Sequence, residues 1–343
     1  MKGAGKYLQV LVGLVVGVGL AWFATMNVNW DRVGQVLKDA DYRWLAGSVL
    51  VLFLHYGVKA WRWRILLDHK AAVPYGLVFR TMAVGFLMNN LIPARLGELS
   101  SRPYLLAANA PKVPFSFALA TVLGAKVLDL LIVGSLLLVS AAFYTIPDDW
   151  TGTAMWVVGG AAFLGVIGGI AAFKGSGEAF ETRMRGLFSW FLSPAAAGKL
   201  SAQMTRFSEG MAVLGDVRTF IKSLSVTLFS FVVLWAAIAC TAKALHLSLG
   251  LTDGIMVLAL MGVGFALPAP PTYAGNIHYF VTRAVVLTGL GGEDVGFSLG
   301  VLVHAVEVVV MCGQGLVSLP GLKWKAEDDP STAAETESDS ESD

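Results

Sequence analysis

A chain of 343 residues that is 56% hydrophobic and only 14% charged carries too little polar surface for a soluble domain, where about a quarter of residues are charged. The formal net charge of +1 hides an asymmetry: residues 326–343 hold Glu327, Asp328, Asp329, Glu335, Glu337, Asp339, Glu341 and Asp343 with no Lys or Arg, so without those eight acids the rest stands near +9. Such a composition excludes an ordinary soluble enzyme and calls for lipid as solvent. A helix needs about 20 mostly apolar residues, at 1.5 Å rise, to cross a hydrocarbon core of roughly 30 Å. Six segments meet that requirement: residues 7–26, 44–61, 115–143, 154–173, 221–245 and 295–319. The first follows Lys2 and Lys6 but is too long for a cleaved signal, and it reads as a retained helix.

Two further apolar stretches are broken. Residues 77–91 run into Ile92-Pro93-Ala94-Arg95, and residues 255–267 run into Pro268-Ala269-Pro270-Pro271. Proline removes a backbone donor, and unpaired backbone at membrane depth survives only where protein or water covers it. Both stretches are therefore predicted as re-entrant helical hairpins. The basic loop 174–218, with Phe180, Met184, Leu187, Phe188 and Phe191 among Arg183, Arg185 and Lys199, is predicted to hold a helix lying on the membrane surface. The acidic tail 326–343 buries too little apolar surface to fold and is predicted to be disordered.

Lys and Arg accumulate on the cytoplasmic side of a membrane. With six crossings and two re-entrant hairpins, nineteen basic residues from Lys2 to Lys325 fall on one face, and Arg32, Lys38, Arg43, Lys243 and Arg283 on the other. Both termini and the basic loop are thus expected in the cytoplasm. Adding 178 to the first half carries Pro93 to Pro271, Gly97 to Gly275, Lys126 to His304 and Asp129 to Glu307 without a gap, and it lays residues 44–61 on 222–239. Repeats of span, hairpin and span, about 44–143 and 222–319, would then enter from opposite faces, the inverted architecture of secondary transporters. The predicted fold is an all-α polytopic membrane protein with about six transmembrane helices and two re-entrant hairpins in an inverted repeat.

The residues able to carry chemistry cluster at the breaks. Asn90, Pro93, Arg95, Gly97, Glu98 and Arg102 place neutral, acidic and basic groups around the first one. The fork of Arg donors suits a phosphate, although Arg95 and Arg102 at a helix end also have the reach to snorkel to headgroups. Lys126 and Asp129 share one face of a spanning helix, as do His304 and Glu307 in the matching helix. Charges within a span cost roughly 2.5–3.5 kcal/mol each and usually face a bundle interior. Pro271, Tyr273, Gly275, Asn276 and His278 mark the second hairpin. His55 and His69 read as interfacial, and Cys240 and Cys312 as helix-packing residues. No Walker loop, zinc spacing, nucleophile elbow or dinucleotide fingerprint occurs. Neither a cofactor nor a metal, nor a nucleic-acid partner, is therefore expected, and enzymatic action is not expected either.

The run Asn90-x-x-Pro93-x-Arg95-x-Gly97-Glu98-x-x-x-Arg102, followed by Lys126-x-x-Asp129 and the Pro268–Gly275 hairpin, resembles the membrane region of lysylphosphatidylglycerol synthases and its stand-alone flippase-like relatives. The resemblance implies movement or presentation of an anionic lipid, a phospholipid or a polyprenyl-phosphate-linked one, at the cytoplasmic membrane. Its alternative is a scaffold that presents a lipid carrier to a separate glycosyltransferase or synthase. Three features depart from the family's usual pattern: Ala125 where an acid is common, Lys126 where Arg is usual, and Asn276 and His278 where an acid often follows the glycine. The synthases also carry a soluble aminoacyl-transfer domain, an activity not expected of this chain. On this reading the Lys126/Asp129 and His304/Glu307 pairs approach one another near mid-membrane, and neutralising Asp129 or Glu307 impairs transport more than folding.

Overall fold

The computed structural model describes residues 4–91, 96–145, 148–173, 194–267 and 270–324. Among them run twelve α-helices and no strand: α1 (Ala4–Thr25), α2 (Trp30–Lys38), α3 (Tyr42–Leu67), α4 (Tyr75–Leu91), α5 (Leu96–Asn109), α6 (Phe115–Phe143), α7 (Trp150–Phe173), α8 (Pro194–Ala212), α9 (Val217–Ala244), α10 (Leu251–Ala266), α11 (Asn276–Thr288) and α12 (Glu293–Ser318). Side-chain caps satisfy the orphan amides at several starts. Asn29 accepts from the Arg32 amide at 3.1 Å, Asp41 from Arg43 at 3.1 Å and Asp216 from Thr219 at 2.8 Å.

By length and composition α3, α6, α9 and α12 can each cross a membrane. The expected span 154–173 falls within α7, and the expected span 7–26 coincides with α1 except for its last residue, the helices having 24 and 22 residues. Large apolar side chains such as Leu50, Phe53, Leu138, Trp156, Phe229, Val232, Val309 and Val317 lie on the outer surface. That is the arrangement of helices solvated by lipid rather than water.

The ends of the bundle define the topology. At one end the Asp41 amide donates to the Ala244 carbonyl at 2.8 Å, Tyr144 donates to Asp253 at 2.6 Å, Arg283 pairs with Asp149 at 2.8 Å, and Arg32 with Asp294 at 3.7 Å. At the other, Lys70 pairs with Glu209 at 2.8 Å, Arg80 donates to the Ser318 carbonyl at 3.3 Å, and Asn109 donates to the Lys323 carbonyl at 3.0 Å. Helices α4 and α5 therefore pack as a hairpin open at the end where α12 finishes. Helices α10 and α11 form a hairpin open at the end where α12 begins. With 17 and 16 residues, α4 and α10 reach about 25 Å, short of a crossing of roughly 30 Å.

The offset of 178 that aligns the sequence also aligns the helices: the start of α6 at Phe115 maps to the start of α12 at Glu293, and α3, α4 and α5 fall on α9, α10 and α11 within three residues at nearly every end. Packing is reciprocal. Helix α3 lies along α9, α4 along α12 and α10 along α6, so each hairpin rests on the last helix of the other repeat.

Three features differ from the sequence expectation. Helix α3 continues through Arg62 to Leu67 rather than stopping at residue 61. A short helix, α2, was not foreseen, because its apolar stripe, including the buried Val33, is only nine residues long. Helix α8 docks on α6, with Gly210 so close that a Cβ would meet the Phe117 carbonyl oxygen at 2.8 Å. Residues 174–193, including the aromatic part of the expected surface helix, and the acidic tail lie outside the described residues.

Candidate functional site

Glycine lets the first hairpin close. A Cβ on Gly97 would overlap the backbone of Met88 and Asn89, so the start of α5 passes directly against the end of α4. Pro93 and Arg95, between these arms, lie outside the described residues. One turn deeper, the Arg102 stem crosses α4 through the gap left by Gly85. Its guanidinium lies 4.5 Å from the Trp63 ring centre and 5.4 Å from that of Phe86, where cation–π attraction partly replaces lost hydration. Arg102 donates to the Glu98 carboxylate, whose second oxygen accepts from Lys126 Nζ at 2.7 Å. Glu98 and Arg102 are buried, whereas the Lys126 side chain is 41% exposed.

A second charged cluster abuts the first. Arg62, buried on α3, forms a two-pronged pair with Asp129 on α6, its Nη2 reaching Oδ2 at 3.2 Å, and donates from Nη1 to Thr227 on α9 at 3.1 Å. Lys59 Nζ stands 3.5 Å from the same carboxylate. The expected association of Lys126 with Asp129 is thus replaced. Although they share a helix face, each is claimed by a neighbouring helix, Lys126 by Glu98 of α5 and Asp129 by Arg62 of α3.

The second hairpin turns through a strained tip. Thr272 and Tyr273 both have φ of 63°, and Gly275 has φ of 86°. For the two non-glycine residues this is an uncommon conformation that clusters at functional positions. A Cβ on Gly275 would collide with the Gly17 carbonyl of α1, which accounts for the glycine. Pro271 opens the short 3-10 turn. Asn276 is fully buried and donates to the Gly264 carbonyl at 2.9 Å, tying α11 to α10. The two tips meet, with Asn89 Nδ2 donating to the Tyr273 hydroxyl at 3.3 Å, while Asn90 reaches the Met311 sulfur at 3.4 Å.

His304 contacts His278 and the Thr272 carbonyl, at 3.2 and 2.7 Å, rather than Glu307. Glu307 is buried and lines a small cavity with Ser48 and Thr241, with Lys59 acting on it through space. The two basic-acidic pairs are therefore each split, and their partners lie on other elements. His55 is buried as well: its Nδ1 lies 2.8 Å from the Ser230 carbonyl, linking α3 to α9 rather than facing the interface. His69 is exposed beyond α3.

Lys59, Arg62 and Thr227 escaped the sequence reading. Hydropathy ends the second span at residue 61, but Trp63 and Ile65 to Leu67 prolong the apolar pattern past Arg62. An Asp in mid-span that needs a cationic partner was the available signal. No group of three metal-ligating side chains occurs among the described residues.

An all-helical bundle with an apolar exterior, two hairpins entering from opposite ends and charges gathered where their tips meet defines a multi-pass membrane protein built as an inverted repeat. Residues 10–313 match the family described as the lysylphosphatidylglycerol synthase TM region, and the chain belongs to that family. Membership points to a function concerned with membrane lipid. No curated protein matches the chain.

Proposed function

We propose that the protein moves an anionic lipid between the two leaflets of the cytoplasmic membrane, holding the headgroup at the charged cluster while the hydrocarbon chains stay in the bilayer. The observation that carries this reading is the charge balance where the hairpins meet. Among the described residues four cations, Lys59, Arg62, Arg102 and Lys126, meet three carboxylates: Glu98 and Asp129 in direct contact and Glu307 facing Lys59 through space. A net positive centre inside an apolar bundle is costly unless an anion completes it. Lys126 is the accessible member, and Glu98 occupies the position where a phosphodiester would sit between Lys126 and Arg102. Keeping the tails in lipid avoids a transfer cost of about 0.8 kcal/mol per CH₂.

The bias of Lys and Arg supports an orientation with both termini and residues 174–218 on the cytoplasmic side, in which the first hairpin opens to the cytoplasm and the second to the outside.

The test is reconstitution of the purified chain in liposomes containing fluorescent phosphatidylglycerol, phosphatidylcholine or polyprenyl phosphate. The expected result is accelerated translocation of the anionic lipids, reduced at least tenfold by Lys126→Gln at equal amounts of folded protein. Folded protein that accelerates none of them refutes the reading. Saturable binding without translocation would instead favour the scaffold that presents lipid to a glycosyltransferase or synthase.

A further inference from the structure

We propose that the His278–His304 pair is a proton-binding site whose loading unlatches the tip of the second hairpin. The argument starts from the hydrogen bonds, which leave each ring one tautomer. The Thr272 carbonyl can only accept, so His304 Nε2, 2.7 Å away, carries its proton and Nδ1 is a bare acceptor. The Gly275 amide can only donate, and at 3.4 Å from His278 Nδ1 it requires a bare nitrogen there; the His278 proton therefore sits on Nε2. That N–H points at His304 Nδ1, 3.2 Å distant. The result is a one-way chain from the Gly275 amide through both imidazoles to the Thr272 carbonyl, using all four ring nitrogens.

An added proton has two places to go, and each breaks the chain. On His278 Nδ1 it would confront the Gly275 N–H and uncap the first turn of α11, where His278 holds the third-residue position of a capping box. On His304 Nδ1 it would confront the His278 N–H. Both breaks fall on the segment that holds Thr272 and Tyr273 at positive φ, so losing the chain releases strain that the closed tip contains. Tyr273 in turn receives Asn89 of the first hairpin, which carries the release to the place where the tips meet.

The surroundings leave the pair as the local proton acceptor. The rings stand edge to face with 4.9 Å between centroids, beside the Phe297 ring. On α12 the next titratable group is Glu307, which lines the cavity shared with Ser48 and Thr241. Asp294, farther along α12, is held by Arg32 and the Asn29 amide. From α4 the tip receives the neutral Asn89, and α1 meets it through Gly17 and Ala21. Asp253 of α10 is bonded to Tyr144 at the far end of that helix, and Arg283 of α11 to Asp149. Tyr273 is the titratable group of the turn itself, with Lys126 of α6 acting on it through space.

The latch stands independently of the lipid reading, and only its consequence, a proton-linked step in headgroup movement, rests on it. The experiment is amide hydrogen exchange over residues 270–280 of the full chain in lipid nanodiscs from pH 5 to pH 8, corrected for the intrinsic exchange rate. A closed state that excludes a proton which the open state takes up loses protection as pH falls, by about tenfold per pH unit for one proton. Protection is therefore expected to be constant near pH 8 and at least tenfold lower at pH 5. A glutamine amide both accepts and donates without titrating, so the His278→Gln/His304→Gln double variant is expected to keep its protection at pH 5. Equal protection of the parent at pH 5 and pH 8 overturns the proposal, as does a double variant with the parent's pH dependence. If the double variant fails to fold, the parent's own profile decides, and none of these readouts depends on lipid movement.

Discussion

Neutralising Asp129 tests the central packing argument. In Asp129→Asn, Arg62 keeps Thr227 at 3.1 Å and one amide oxygen but loses the counter-charge and the second acceptor, while its side chain stays 3% exposed. Removing one partner of a buried ion pair costs about 3–5 kcal/mol, because the surviving charge has neither water nor a counter-ion. The opposite change is milder. In Arg62→Met the carboxylate, whose side chain is 24% exposed, still has Lys59 at 3.5 Å, and the expected loss is about 1–3 kcal/mol. Combined, the two changes should cost about 1–3 kcal/mol less than their sum, since neither leaves the other's partner stranded. Unfolding titrations with SDS in mixed micelles, followed by helical circular dichroism, measure all four corners of this cycle. From the sequence, Asp129→Asn is expected to impair transport more than folding; the buried pair adds a loss of folding stability that the assay has to separate from it. Stability within about 0.5 kcal/mol of the parent, or strict additivity in the double variant, would show that the contact does not hold α3 to α6.

Three other perturbations probe separate parts of the structure. Gly97→Ala forces a Cβ into the Met88 and Asn89 backbone and is expected to cost about 1–3 kcal/mol; an unchanged unfolding midpoint in the same titration would contradict the close crossing of α4 and α5. Glu98→Gln leaves Arg102 buried over Trp63 and frees Lys126, so stability should fall while anionic lipid retained per folded molecule, counted by mass spectrometry, rises. Asn109→Ala removes both bonds to the Lys323 backbone, at 2.9 and 3.0 Å, worth about 1–2 kcal/mol together, and tryptic cleavage after Lys323 should quicken severalfold at an unchanged global midpoint.

The residues that break regularity were legible in the sequence. Pro93, Gly97, Pro271 and Gly275 marked hairpins because proline and glycine act on their own backbone, and such effects are local to the chain. The inverted repeat was legible for a related reason: an ungapped offset of 178 preserves the order of local signals, and the helices follow it. Four of the six expected crossings, α3, α6, α9 and α12, are helices long and apolar enough to span, and they were legible because hydropathy needs no knowledge of neighbours.

Charge pairing was decided by tertiary structure. Lys126 and Asp129 stand three residues apart, yet one meets Glu98 from α5 and the other Arg62 from α3. Helical periodicity names the face a side chain occupies, and the packing of helices remote in sequence names what faces it. The same reason explains the end of α3. Arg62 looked like the edge of a span because a bare charge is expensive in lipid, but Asp129 neutralises it in place and the helix continues to Leu67. His278 and His304, 26 residues apart, were visible as isolated titratable groups. Their single chain of hydrogen bonds exists only because the strained turn brings the Thr272 carbonyl and the Gly275 amide to opposite ends of the two rings.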